Sequence, residues 1–407
     1  MKILHTADWH LGKRLEKVSR FEEQKQVLDE IIEITETAGI DLVLIAGDLF
    51  DNFNPASEAA ELLYSTLKRL ADGGKRPVVA IAGNHDSPDR IEVPDALARE
   101  CGILFAGYPD THIREGELCS DNFIVRSEPG FVELKLSKYP YPIRLLLTPY
   151  ANEYRVKTFL GLENTEEDLR QLLERRWKEL ADKYCDEEGV NVLISHLYVM
   201  KKGEIPPEEP DEEKPILHVG GAQAVYSENI PSQIQYAALG HLHRFQQIDL
   251  NPCPVVYSSS PLCYSFSEAG QKKYVVIIDA EPSRKVVYNK IELKSGKPLY
   301  RKRFDAVDDA LLWLNENPNS LVELTIVSDE YLTADDRKRL MQAHNGIVSL
   351  IPEIKNAAFL KQKDHHIDLN KDMDELFCQY FLYKYGQMPN EELVELFKEI
   401  RAEQTEE

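Results

Sequence analysis

Apolar runs alternate with amphipathic stretches along the first part of the chain. KILHTAD, at the N-terminus, reads as a strand. RFEEQKQVLDEIIEITETAG (20–39) brings Val27, Leu28, Ile31, Ile32 and Ile34 round at helical spacing and closes on a glycine, which predicts a helix. DLVLIAGD (41–48) reads as a buried strand. NPASEAAELLYSTLKRLADGG (54–74), opened by Asn-Pro and closed by Gly-Gly, predicts a second helix, and PVVAIAGN (77–84) a third strand. Strand, helix, strand, helix, strand is the order of a largely parallel sheet flanked by helices.

Further β runs follow at GILFAG, FVELKL and IRLLLTPY, then a helix at TEEDLRQLLERRWKELADKY (165–184). VNVLISH, YAALGH, CPVVYSSS, KKYVVIID and KVVYNKIEL continue the β pattern. The Pro- and acid-rich stretch 201–216 reads as an exposed loop. Beyond LKSGKP the character changes: 300–344 reads as strand, helix, strand, helix, a compact second unit. KDHHIDLNKD (363–372) reads as a linker. MDELFCQYFLYKYGQMPNEELVELFKEIRAEQ (373–404) reads as two amphipathic helices broken at Gly386–Pro389. The expected division is 1–295, 296–362 and 363–407.

Composition narrows the class. A chain of 407 residues with 43% hydrophobic residues is long enough for two or more globular domains. No apolar run approaches the ~18 residues that span a bilayer, and the N-terminus lacks the long apolar core of a signal peptide. Six scattered cysteines without a CxxC pair read as reduced thiols, so a cytoplasmic protein without membrane contact is expected. The formal net charge of −22 argues against coating nucleic acid with a basic surface. A nucleic-acid role needs bound cations, a basic stripe or a basic partner. The positive points at 12–14 and 297–303 are modest.

The polar clusters all follow apolar strands. Asp8 and His10 lie past the first, Asp48 and Asp51 past the second, and Asn84, His85 and Asp86 past the third. His196 ends a later strand, and His241 and His243 follow another. Groups at the carboxyl ends of strands in such sheets meet in one crevice. Residues two apart in extended chain face the same side, so Asp8/His10 and His241/His243 each reach one volume as a pair. A lone aspartate is often a helix cap, and a lone histidine is more often a satisfied core side chain than a ligand. Five polar clusters that each follow an apolar strand, three of them through a glycine, are not explained that way. Carboxylate, imidazole and amide oxygen suit Mn²⁺, Fe²⁺ or Zn²⁺, without the thiolates of structural zinc. At least seven candidate ligands exceed one tetrahedral ion and fit two ions about 3.5–4 Å apart sharing a carboxylate. Two such ions against two carboxylates leave the centre positive within an acidic chain.

In this order, DWH, GDLFD, GNHD, SH and GHLH resemble the calcineurin-like metallophosphoesterases, over residues 1 to about 275. The resemblance implies a four-layer α/β/β/α sandwich with a smaller α+β capping domain and a C-terminal helical tail. It implies that Asp8, His10, Asp48 and His243 hold one ion and that Asp48, Asn84, His196 and His241 hold the other. His85 matches the catalytic histidine, which is not a ligand, and would serve the leaving oxygen. Asp86 is expected to orient His85 or to cap its turn. Asp51 stands where some relatives carry histidine, and its role stays open. HTADWHLGK, YAALGHLHRFQ and YSSSPLCYSFSE narrow the resemblance to DNA nucleases of that family. These imply two divalent ions, Mn²⁺ foremost and Mg²⁺, Fe²⁺ or Zn²⁺ as alternatives, and 3′→5′ exonuclease action on duplex ends with endonuclease action on single strands. They also imply a homodimer through segments near 54–71 and 88–100, and a coiled-coil ATPase partner docked on the tail helices. One departure stands out: relatives usually read YSGSP, and Ser259 replaces that glycine. A small-molecule or nucleotide phosphodiesterase and a catalytically silent scaffold are the alternatives.

Overall fold

Strands apolar on both alternate sets of positions must be covered on both faces, and the architecture follows from this. The computed structural model describes residues 1–150, 166–208, 224–328, 332–354 and 372–385, with positions 389, 393, 394 and 397. Two units divide the chain, Met1–Tyr300 with Asn319–Leu321, and Arg301–Pro318 with Val322–Glu407.

In the first unit the main elements are β1 (Lys2–Thr6), α1 (Phe21–Ala38), β2 (Leu42–Ala46), α2 (Ser57–Leu70), β3 (Val78–Ile81), α3 (Pro88–Glu92), α4 (Asp95–Glu100) and β4 (Ile103–Ala106). There follow β5 (Gly116–Cys119), β6 (Asn122–Glu128), β7 (Phe131–Lys135), β8 (Ile143–Thr148), α5 (Glu166–Tyr184) and β9 (Val190–His196). Then come β10 (Tyr236–Gly240), β11 (Gln246–Asp249), β12 (Val255–Tyr257), β13 (Lys273–Asp279) and β14 (Val287–Leu293). One sheet runs β14-β13-β1-β2-β3-β4, the other β11-β12-β10-β9-β8-β7-β6-β5. β1 to β4 are mutually parallel, as are β8, β9, β10 and β12.

Period-two alternation builds the layers. Leu42, Leu44 and Ala46 of β2 enter a core between the sheets, while Val43 and Ile45 enter a second core under α1 and α2. Val190, Val192 and Ile194 of β9 join the inter-sheet core, and Leu193 packs with Trp177 and Leu180 of α5 in a third. The order of layers is helix, sheet, sheet, helix. His5 crosses the inter-sheet space: its Nε2 donates to Leu239 O (3.1 Å) and its Nδ1 accepts from the Tyr236 hydroxyl (3.2 Å).

α1 also fixes the end of the unit. Glu30 accepts from the amides of Lys294 (2.9 Å) and Ser295 (2.8 Å), and Glu23 accepts from Lys297 N (2.6 Å). Gln24, the next residue, donates to His10 O (2.8 Å) and accepts from Gly12 N (3.1 Å).

The second unit carries most of β15 (Leu299–Phe304) and of β16 (Leu321–Ser328), with α6 (Val307–Glu316), α7 (Ala334–Ala343), β17 (Ile347–Ile354) and α8 (Met373–Tyr385). Val322, Leu324 and Ile326 pack against Ala310, Leu314 and Leu340 of the two helices. Arg301 pairs with Glu323 and Arg303 with Glu353, so two of the positive points of this stretch are neutralised at home.

The structure departs from the sequence pattern in places. The helix expected over 54–74 spans Ser57–Leu70; Ala56 is extended before it, and the chain tightens into a 3₁₀ turn over Asp72–Gly74. β5, β6, β11 and β17 were not marked by the pattern. β5, β11 and β17 lie at sheet edges, where one-sided burial weakens the apolar signal, and Pro352 interrupts β17, as edge strands tolerate. The first tail helix is α8. Most of the second lies outside the described residues, though the ring of Phe397 stacks on Phe377 with centroids 4.2 Å apart. The expected linker, except for its last residue, and the 209–216 part of the expected loop also lie outside them.

Candidate metal centre

Five strand ends of the first unit meet at one rim. The loop after β1 carries Asp8 and His10, that after β2 Asp48, that after β3 Asn84 and His85. β9 ends on His196, and β10 leads into His241 and His243. Backbone bonds lash the loops together: Asp8 N donates to Gly47 O (3.0 Å) and His10 N to Asp48 O (2.9 Å). Side chains add to this, with His241 N donating to Asp8 Oδ1 and His85 N to Asp48 Oδ1, both at 2.8 Å.

The glycines of three clusters answer a steric demand. A Cβ on Gly47 would lie 2.2 Å from His196 Nδ1, on Gly83 2.1 Å from Asp48 Oδ1, and on Gly240 1.8 Å from Ala46 O. Asp8 (φ 56°), His10 (φ 44°), Asp48 (φ 49°) and His241 (φ 103°) all hold left-handed backbone. Such conformations persist where surrounding structure over-determines them, and they gather at functional sites.

All seven expected ligands are buried and lie together. Asp48 Oδ2 is 3.3 Å from His196 Nε2 and 3.5 Å from His10 Nε2. His10 and His243 present Nε2 to each other at 3.0 Å, and His196 Nε2 is 2.8 Å from Asn84 Oδ1. His196 Nδ1 is 3.7 Å from Asp8 Oδ1, and the His196 and His241 rings are 5.6 Å apart. His85 stands beside the cluster, its ring 4.8 Å from that of His10.

These groups fit divalent cations. Asp8 Oδ2 is buried with no hydrogen-bond partner among the described residues. Burial opposes charge on His196, but Asp48 and Asp8 outweigh it and raise its pKa to about 9. Its Nδ1 donates to Ala46 O (2.8 Å), which leaves Nε2 facing Asp48 and Asn84, the position from which it would ligate a cation. Burial pushes Asp48 up, yet the imidazoles of His196 and His10 hold it well below the usual carboxylate range. Asp8 is raised to about 6, mainly by burial.

Supporting residues appear that the pattern did not mark. Glu268 accepts from His243 Nδ1 (3.1 Å), which turns Nε2 into the centre. Burial opposes charge on Glu268, but Lys273 and His243 lower its pKa to about 2. Lys273 also donates to His243 O (2.7 Å) and Ser260 Oγ (2.9 Å). The available signal was a single acid closing YSSSPLCYSFSE. Asp86 accepts from Leu49 N (3.0 Å), Phe50 N (2.9 Å) and Gly83 N (2.9 Å), so it ties its own turn to the Asp48 loop. Asp51 Oδ1 lies 3.8 Å from His10 Nδ1 and 3.4 Å from Lys13 Nζ. Ser259 holds φ 85°, which a glycine would adopt freely, and its Oγ accepts from Tyr274 N (2.9 Å).

The calcineurin-like phosphoesterase family matches residues 1–245. The D component of the SbcCD nuclease of Bacillus subtilis is 37% identical over 410 aligned residues, 99% of this chain and 98% of that protein. The chain belongs to the calcineurin-like phosphoesterases, on the SbcD branch. Proteins of the same name from Rhodobacter capsulatus (32% identical, 69% of this chain and 66% of theirs) and Staphylococcus epidermidis (28%, 94% and 92%) also match. This phosphoesterase is a dinuclear metal-dependent hydrolase, and its sandwich is that of the family.

Proposed function

We propose that the chain is a Mn²⁺-dependent DNA nuclease that works with an SbcC-like ATPase on duplex ends, hairpins and single strands. The observation that carries this reading is the length of the match: the Bacillus subtilis relative aligns through both units and the tail, not through the phosphoesterase part alone. A small-molecule phosphodiesterase would need only the latter.

In this reading Asp8, His10, Asp48 and His243 hold one ion, and Asp48, Asn84, His196 and His241 the other. When bound, the two cations offset phosphate charge and acidify a water. Glu268 and the Ala46 carbonyl keep the imidazoles of His243 and His196 turned inward. His85 Nδ1 donates to Asp51 O (2.7 Å), which leaves Nε2 as the nitrogen that, protonated in the imidazolium form, would hand its proton to the leaving sugar oxygen. The charged pairs Lys273–Glu268 and Lys13–Asp51 add no net negative charge at the rim.

The second unit contributes to DNA binding, and the tail helices dock on the coiled-coil base of the ATPase. Tyr64 on α2 and Leu97 on α4 (78% exposed), with Phe53 before α2 and Val93 between α3 and α4 (82% exposed), offer apolar surface for a homodimer. The test is digestion of end-labelled duplex DNA with Mn²⁺, with and without the ATPase, beside bis-p-nitrophenyl phosphate. Shortening of the duplex that requires metal supports the reading. Turnover of the small ester with intact DNA in both arms overturns it.

A further inference from the structure

Behind His243 lies a buried charged pair. Glu268 closes a 3₁₀ turn over Phe266–Glu268, and Lys273 opens β13. The Lys273 and Glu268 side chains are 6% and 3% exposed, and their charged ends form an ion pair. Two charges taken out of water gain little net stability from each other, so the pair needs a further reason to be there.

Both members of the pair close on the metal loop. Glu268 Oε1 accepts from His243 Nδ1 (3.1 Å) and from Tyr264 N (3.3 Å), while Oε2 takes the Lys273 ammonium. That ammonium also donates to His243 O (2.7 Å) and Ser260 Oγ (2.9 Å). Ring and backbone of His243 are thus gripped by two side chains that grip each other, and Nε2 is left facing His10 Nε2 at 3.0 Å. His196 is backed differently, since its Nδ1 donates to a neutral carbonyl, Ala46 O, at 2.8 Å. The full charge of a carboxylate polarises an imidazole N–H more than a peptide carbonyl does, and so raises the basicity of the opposite nitrogen further. His243 and His196 belong to different cations in the ligand sets above.

We propose that Glu268 is a positioning residue that acts on one of the two cations only, the one held through His243, by fixing the tautomer and orientation of that imidazole. The inference rests on the ligand assignment above and extends it one layer outward. Lys273 holds the carboxylate from its far side, so Glu268 cannot swing away from the ring.

The test is titration calorimetry with Mn²⁺ on wild type, Glu268→Gln and the double variant Glu268→Gln/Lys273→Met, with the melting temperature of each metal-free protein. Glu268→Gln is expected to weaken one of two binding events by roughly 10–100-fold, the usual effect of losing such a partner, and to leave the other within about twofold. In a His243→Ala background the same replacement leaves the affinity for the remaining cation unchanged, because the imidazole through which Glu268 acts is gone. The double variant removes both buried charges together, so it recovers the melting temperature lost with Glu268 alone, while the weakened event stays weak. Affinity that recovers along with the melting temperature assigns Glu268 to stability and overturns the inference. Weakening of both events equally, or of neither, overturns it too, as does an effect that persists without His243. Wild-type protein that binds one cation or none overturns the ligand assignment instead.

Discussion

Asp48 reaches across the centre. One oxygen faces the imidazoles of His196 and His10 and the other anchors the amide of His85. Asp48→Ala is expected to lose both ions, and metal analysis returning two ions per chain would refute the shared-ligand assignment. His85 lies outside the ligand set, so His85→Ala is expected to keep both ions while hydrolysis falls by roughly 10²–10⁴, the usual contribution of a positioned acid. Metal content and cleavage rate measured on one preparation decide it. The polar clusters were legible because each follows an apolar run that can only be a strand. Glu268 and Lys273 were not, because an acid and a lysine outside any motif look like surface until the fold buries them. The close approach of His196, Asp48 and Ala46 makes the glycines at 47, 83 and 240 obligatory. Asp86 serves its own turn through Gly83 N and also holds Leu49 and Phe50 of the neighbouring loop.

At the level of strands and helices, His5 joins β1 to β10 across an otherwise apolar layer. Burial lowers its pKa from 6.5 to about 3, against the pull of the Leu239 carbonyl. Below pH 6.5 the unfolded chain therefore binds a proton that the folded chain refuses, and stability falls as pH falls through that window toward 3. At about 1.4 kcal/mol per unit, the loss across the window is on the order of 5 kcal/mol. Urea unfolding at pH 7, 6 and 5 should show this slope reduced by one proton in His5→Gln; an unchanged slope would remove His5 as its source. Central strands such as β2 and β9 were easy to read, since every residue is buried. β5 was not: its GELC has two exposed positions of four at the edge of a sheet, and a turn-rich surface loop has the same composition.

For the whole molecule, acidity and nucleic acid are reconciled locally. The chain carries −22 overall, yet the carboxylates nearest the centre are matched by imidazoles, by Lys13 and by Lys273. The clasp made by Glu23 and Glu30 reaches further. One face of α1 grips the amides of residues 294–297, just before the second unit begins, and the adjoining Gln24 grips the metal loop at His10 and Gly12. A pull on the exit segment is thus borne by a helix rooted beside the catalytic rim, and the edge strand β14 is spared from peeling. Replacing Glu30 with Ala is expected to speed protease nicking after residue 293 while both ions stay bound; wild-type nicking rates would show the tether to be slack.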